Sequence, residues 1–166
     1  MNTLRRMLRH LFTTTADGRR AFPPAALKAI QAAIASGEAM HRAEVRLIVE
    51  PALSLQDVLR GETSRERARE LFTQYRIWDT EENSGVLIYI NLADHKVEII
   101  ADRTIGRLVS AADWQAVCLT MTKDFARGAY QESVLAALDQ LNSLLQSHLP
   151  ADGARENQLS NRPIIL

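Results

Sequence analysis

"NSGVLIYINLADHKVEIIADR", residues 83–103, decides how the chain folds. Two short apolar runs flank a polar break, and an Asp-Arg pair closes the stretch. Asp94 and His95 read as the two-residue turn of a hairpin, Asp94 being the more tolerant of a left-handed conformation. On that register Ala93 faces Lys96, Leu92 faces Val97, Asn91 faces Glu98, Ile90 faces Ile99, Tyr89 faces Ile100 and Ile88 faces Ala101. Side chains alternate across a sheet, so Ile88, Ile90, Leu92, Val97, Ile99 and Ala101 share one apolar face. The other face carries Leu87, Tyr89 and Ile100 and turns polar at Asn91 and Glu98. A sheet that is apolar on both sides needs helices on both.

Upstream, "AEVRLIVE" (43–50) alternates as a strand does, with Val45, Leu47 and Val49 on one side, and Pro51, lacking a ladder donor, ends it. "TSRERARELFTQYRIW" (63–78) opens with Thr63 and Glu66 at capping-box spacing, and Ala68, Leu71, Phe72 and Tyr75 fall on one helical side. Strand, helix and strand make a βαβ unit whose strands run parallel. The expected fold is therefore α/β: a three-layer α/β/α sandwich, Rossmann-like, whose small mixed sheet joins the parallel unit to the antiparallel hairpin.

Three more helices complete it. "FPPAALKAIQAAIASG" (22–37) admits proline in its first turn and places Gly37 at its end. "SAADWQAVCLTMTKDF" (110–125) aligns Trp114, Val117, Cys118, Met121 and Phe125. "YQESVLAALDQLNSLLQSHLP" (130–150) turns Val134, Leu138, Leu141 and Leu145 inward and stops at Pro150.

The ends read differently. Residues 1–20 carry five arginines against one aspartate, with Leu4, Leu8, Leu11 and Phe12 at helical spacing. The simplest reading packs that apolar stripe on the domain and leaves the arginines in water. The other reading is a peripheral membrane contact or a docking helix for a partner through residues 2–12. "TTTADGRR" (13–20) reads as a turn-rich linker. Residues 151–166 lack periodicity and read as a flexible tail whose apolar tip is Ile164-Ile165-Leu166. The organisation expected is a basic helix and linker at 1–20, one domain at 21–150, and the tail.

Lys+Arg and Asp+Glu balance at 20 each over 166 residues, so no global field draws the protein to nucleic acid. The lone Cys118 forms no internal disulfide. The longest apolar run, Val86 to Ile90, is far short of the roughly 20 residues of a bilayer span. Arginines interrupt the N-terminal stretch, which argues against a secretory signal and makes the cytoplasm the expected compartment.

With "ERARELFTQYRIWDTEE" before it and "DFARGAYQESVLAALDQLNSLLQSHLP" after it, the hairpin segment resembles the TPM domain. That family is typified by a thylakoid-lumen photosystem II repair protein and a receptor auxiliary subunit of nematodes. The matching features are a helix, an N-x-G-V-L-I strand start, a short turn, a V-E-I strand and a late F-x-x-G-x-Y, over roughly residues 42–150. The resemblance implies a compact α/β/α fold and, for some members, acid phosphatase activity. Many bacterial members are secreted or membrane-tethered; this chain resembles a short soluble one. It departs from many relatives after the third strand, where Ala101-Asp102-Arg103-Thr104-Ile105 replaces a glycine-rich turn. A backbone anion nest there needs conformations these residues adopt less readily.

No established phosphoryl-transfer motif is present. Cys118 is followed six positions on by Asp124, not arginine, and Asp79 has no aspartate two positions on. The four histidines, His10, His41, His95 and His148, are never paired at metal-ligand spacing. What chemistry the chain has belongs at the sheet's polar edges. One gathers Glu50, Asn91, Asp94, His95 and Glu98. The other offers Asp79 and Asp102 as oxygen ligands for Ca²⁺ or Mg²⁺, with Asn83 and Arg103 placed to hold a ligand or anion. The plain alternative makes Asp79 and Asn83 turn-formers and Asp102 a helix cap. The expectation is a non-catalytic module with a protein partner, the alternative a divalent-metal-assisted phosphatase at the Asp79/Asp102 edge.

Overall fold

The computed structural model describes residues 3–166. Its elements are α1 (Thr3–Phe12), α2 (Thr15–Ala21), α3 (Pro24–Glu38), β1 (Glu44–Glu50), α4 (Leu55–Arg60), α5 (Ser64–Gln74), β2 (Gly85–Asn91), β3 (Lys96–Ala101), α6 (Arg103–Leu108), α7 (Ala111–Thr122), α8 (Tyr130–His148) and β4 (Ile164–Ile165). The sheet order is β3-β2-β1-β4, with β2 and β4 parallel to β1 and β3 antiparallel to β2. Val45, Leu47, Val49, Val86, Ile88, Ile90, Val97 and Ile99 face one core, closed by Ile30 and Ile34 of α3, Val117 and Met121 of α7 and the Val134–Leu145 stripe of α8. Ile48, Leu87 and Tyr89 face the other, under Ala68 and Leu71 of α5. The three layers expected from two apolar sheet faces are present.

The hairpin keeps its faces but not its partners. Ile90 pairs with Val97, Tyr89 with Glu98, Ile88 with Ile99 and Asn91 with Lys96, so the register differs from the Asp94–His95 turn by two residues. Leu92 to His95 form a four-residue loop instead. His95 N–H donates to the Leu92 carbonyl at 3.1 Å, Asp94 N–H donates to Asn91 Oδ1 at 2.9 Å, and His95 alone takes a positive φ, 52°. Both primed two-residue turns require positive φ at the first central position, here Asp94, which does not adopt it; its N–H goes to the Asn91 side chain instead. A shift of two preserves which side each residue faces.

Most of the expected linker at 13–20 is helical, from Thr15 onward. Thr14 Oγ1 accepts from Asp17 N–H while Asp17 accepts from Thr14 N–H, a capping box that starts α2. The expected flexible tail is docked. Ile164 and Ile165 pair with Ile48 and Val49, and Leu166 N–H donates to the Val49 carbonyl at 2.9 Å. Leading into it, Glu44 Oε2 accepts from Gln158 and Leu159 N–H, and Asn161 Nδ2 donates to Glu38 Oε2 at 2.6 Å. The polar residues that erase periodicity are thus partners for carboxylates at the sheet edge, and the apolar tip covers what would be the bare edge of β1.

Gly85 explains the strand start. A Cβ there would lie 1.9 Å from the Ile77 carbonyl oxygen, so the chain after α5 returns closer to β2 than any side chain allows.

Candidate functional site

At the edge where β3 leads into α6, Asp102 is the N-cap: its Oδ1 accepts from Arg103 N–H at 2.6 Å. Its Oδ2 is buried without a hydrogen-bond partner. Asn83, at φ 51°, accepts through Oδ1 from Arg103 Nη2 at 2.9 Å. Arg103 thus lies between Asn83 and the Asp102 cap. Asp79 does not join them; its carboxylate pairs with Arg76 at 2.6 Å on the preceding turn and is 51% exposed. The donor set fits a divalent cation poorly. Calcium takes six to eight oxygens, whereas one Asp102 oxygen is a cap, the Asn83 oxygen is taken by arginine, and Asp79 stands apart. Among the described residues no group of three or more His, Cys, Asp or Glu is arranged to hold a metal ion.

The hairpin edge is closed. Glu50 accepts from Arg67 Nη2 at 2.9 Å and from the Tyr89 hydroxyl at 2.6 Å, and Asn91 Nδ2 donates to that hydroxyl at 3.3 Å. Burial, then the neighbouring Glu50 charge, pushes the Tyr89 phenol far above its ordinary range. Beyond Asn91 lies Asp94, its side chain 3% exposed, receiving Arg6 Nη2 at 2.8 Å and Arg9 Nη2 at 3.1 Å. His10 completes the group. Its Nδ1 accepts from Leu53 N–H at 2.9 Å, which puts the ring proton of the neutral form on Nε2, 3.2 Å from Asp94 Oδ1. Burial raises the Asp94 carboxyl, but the close His10 ring and the hydrogen-bonded Arg6 guanidinium outweigh it and hold the group well below the usual carboxylate range.

These contacts invert α1. Arg6, Met7 and His10 face the body, while Leu8, Leu11 (54% exposed) and Phe12 (74%) face outward, with Leu4 also exposed. The reading in which the apolar stripe packs inward is corrected. A buried aspartate and the Leu53 N–H need charged and polar partners that leucine cannot supply, and an unpaired buried carboxylate costs more than leucines left in water. Helix α4 packs beside α1 and exposes Leu59 (63%) and Leu55. At the end of α1, Phe12 borders a hollow of about 480 Å³ lined also by Leu92, His95 and Tyr130. No helix among the described residues is long and apolar enough to cross a membrane. Sequence reasoning found the leucine stripe and missed its direction; Asp94 on the hairpin, a lone anion between two apolar strands, was the signal for it.

A family model of the TPM domain matches residues 15–144. Among solved structures, the chain is similar to the NMR structure of the BA42 protein from the psychrophilic bacterium Bizionia argentinensis, with a TM-score of 0.74 over 93% of this chain and 95% of that one, at 21% identity. At that identity the likeness speaks for the fold. A search of curated proteins found no match.

Proposed function

The chain belongs to the TPM domain family, and on that scaffold we propose a non-catalytic module that binds a protein partner through the outward face of α1. One observation carries this: an amphipathic helix fastened by its charged face and packed against α4, with Leu8, Leu11 and Phe12 turned to solvent and Leu59 of α4 exposed in turn. The same fastening argues for protein over an anionic lipid surface, the peripheral contact suggested for residues 2–12. Two of the arginines that would meet lipid headgroups are spent on Asp94. Met1 and Asn2 lie outside the described residues.

Burying four roughly half-exposed large apolar side chains is worth about 1 kcal/mol each, about 4 kcal/mol in all. That alone corresponds to affinity on the order of 1 mM, so α1 acts as the anchor of a wider interface. A photo-crosslinking amino acid at position 8, in living cells, tests the reading. Discrete adducts at position 8 that are absent with the same probe at the exposed position 69, and that fade with Phe12→Glu, support it. Identical adducts at both positions, or Phe12-dependent flotation with anionic vesicles in place of adducts, refute it.

The alternative, a metal-assisted phosphatase at Asp102 and Arg103, draws support from the unpartnered Asp102 oxygen beside a guanidinium. The separation of Asp79 weakens it. Aryl-phosphate hydrolysis with Mg²⁺ or Ca²⁺ that is abolished by Asp102→Asn together with Arg103→Ala would revive it.

A further inference from the structure

Gly18 sets α2 unusually close to the tail strand: a Cβ there would lie 2.9 Å from Pro51 Cγ and 3.2 Å from Ile165 Cγ2. Beside this contact, residues of α2, the start of α3 and the tail line a cleft of about 700 Å³, within the size range of small-molecule sites. The cleft is apolar inside, with Phe22 buried and Leu27 and Ile165 half-buried. Around it stand Arg19, Lys28 and Arg162, all exposed, and no carboxylate lines it.

Two comparisons within the molecule make the charge pattern informative. Most arginines here are tied to carboxylates, among them Arg6, Arg42, Arg67, Arg76, Arg127 and Arg155. Arg19, Lys28 and Arg162 make no ion pair among the described residues. Four other hollows, by contrast, each carry at least one carboxylate: Glu38 and Glu44, Asp17, Asp94, and Asp152. Uncompensated like charges around an apolar hollow repel one another and favour an anion whose body is apolar.

We propose that this cleft binds a small amphipathic anion, a single carboxylate or phosphate head on an aliphatic body, with the head at Arg19, Lys28 and Arg162 and the chain on Phe22, Leu27 and Ile165. The site is separate from the α1 face, and its reading stands without a protein partner. Because Ile165 belongs to β4, an occupant also holds the tail strand in place.

The full chain, labelled with ¹⁵N, is titrated with decanoate and with decyl phosphate below their micellar concentrations, and with decanol and acetate as controls. The expected result is saturable shifts confined to α2, the first turns of α3 and residues 162–166, with dissociation constants below about 1 mM for both anions. Decanol and acetate bind at least tenfold more weakly. Arg19→Glu with Arg162→Glu weakens decanoate at least tenfold, and Leu27→Gln does so through the chain, while both variants keep the wild-type amide spectrum elsewhere. Decanol binding as well as decanoate would reduce the site to a greasy hollow, and acetate binding as well would reduce it to a charged surface. Either result overturns the proposal, as does the absence of saturable shifts with both amphiphiles. A double charge reversal that leaves decanoate affinity unchanged overturns it too.

Discussion

Replacing Asp94 with asparagine removes the anion on which Arg6, Arg9 and His10 converge while keeping the side chain's size. The wild-type carboxylate is 3% exposed and faces an Arg6 side chain that is 13% exposed. Breaking a buried ion pair from one side costs about 3–5 kcal/mol when the surviving charge stays buried. Here α1 is terminal and can peel away, so Arg6 regains water at the expense of the helix's docking; about 3 kcal/mol is the expected loss. Two readouts separate these routes: urea unfolding followed by circular dichroism, and hydrogen exchange of residues 3–12. The variant should lose about 3 kcal/mol of stability, and its α1 amides should lose protection well before those of β1 and β2. The wild type should show a matching pH dependence. A carboxyl held below its ordinary value of 3.8 contributes stability that is present above that value and is lost as pH falls through and below it. A variant within about 0.5 kcal/mol of wild type, with α1 protection intact, would refute the inward charged face.

Other expectations follow from the same packing. Glu38 is pushed up to about 7 by burial and by the charge of Glu44, against the hydrogen bonds from Val45 and Asn161. Its proton therefore favours the fold at low pH, and stability should fall between about pH 4.5 and 7 and level off above. Glu38→Gln should flatten that slope in pH-dependent thermal melts. Cys118, whose thiol burial raises to about 11, should alkylate with iodoacetamide at pH 8 far more slowly than an exposed cysteine introduced at Arg69, read by mass spectrometry. Deleting residues 164–166 strips three half-buried apolar side chains and bares the edge of β1. It should cost about 3 kcal/mol in denaturant unfolding and raise light scattering on concentration. Gly85→Ala forces a methyl against the Ile77 carbonyl, which as backbone cannot step aside, and should cost at least about 3 kcal/mol by the same assay.

The layers were legible because period-two alternation in 43–50 and 83–103 and period 3.6 in 63–78, 110–125 and 130–150 each report one dominant force, apolar burial. The hairpin register was legible only to its parity. Faces follow from alternation, whereas partners depended on an Asn91-to-Asp94 backbone contact that no apolar pattern encodes. The tail misled for a related reason: its order comes from hydrogen bonds to Glu38 and Glu44, and polar side chains look alike whether they meet water or a partner. In α1 the leucine stripe was visible, but its orientation was set by one buried charge 84 residues away in sequence, between His10 and Asp94. At the other edge, Asn83 and Arg103 met through a positive φ at Asn83, while Asp79 was captured by its helical-turn neighbour Arg76.

Solvent relaxation measures the outward face of α1 directly. With a soluble gadolinium chelate added to the methyl-labelled protein, Leu8 and Leu11 should broaden nearly as strongly as exposed Leu119, half-buried Met7 should broaden less, and buried Leu138 should stay sharp. Sharp Leu8 and Leu11 signals beside a broadened Met7 would place the leucines inward and contradict the account.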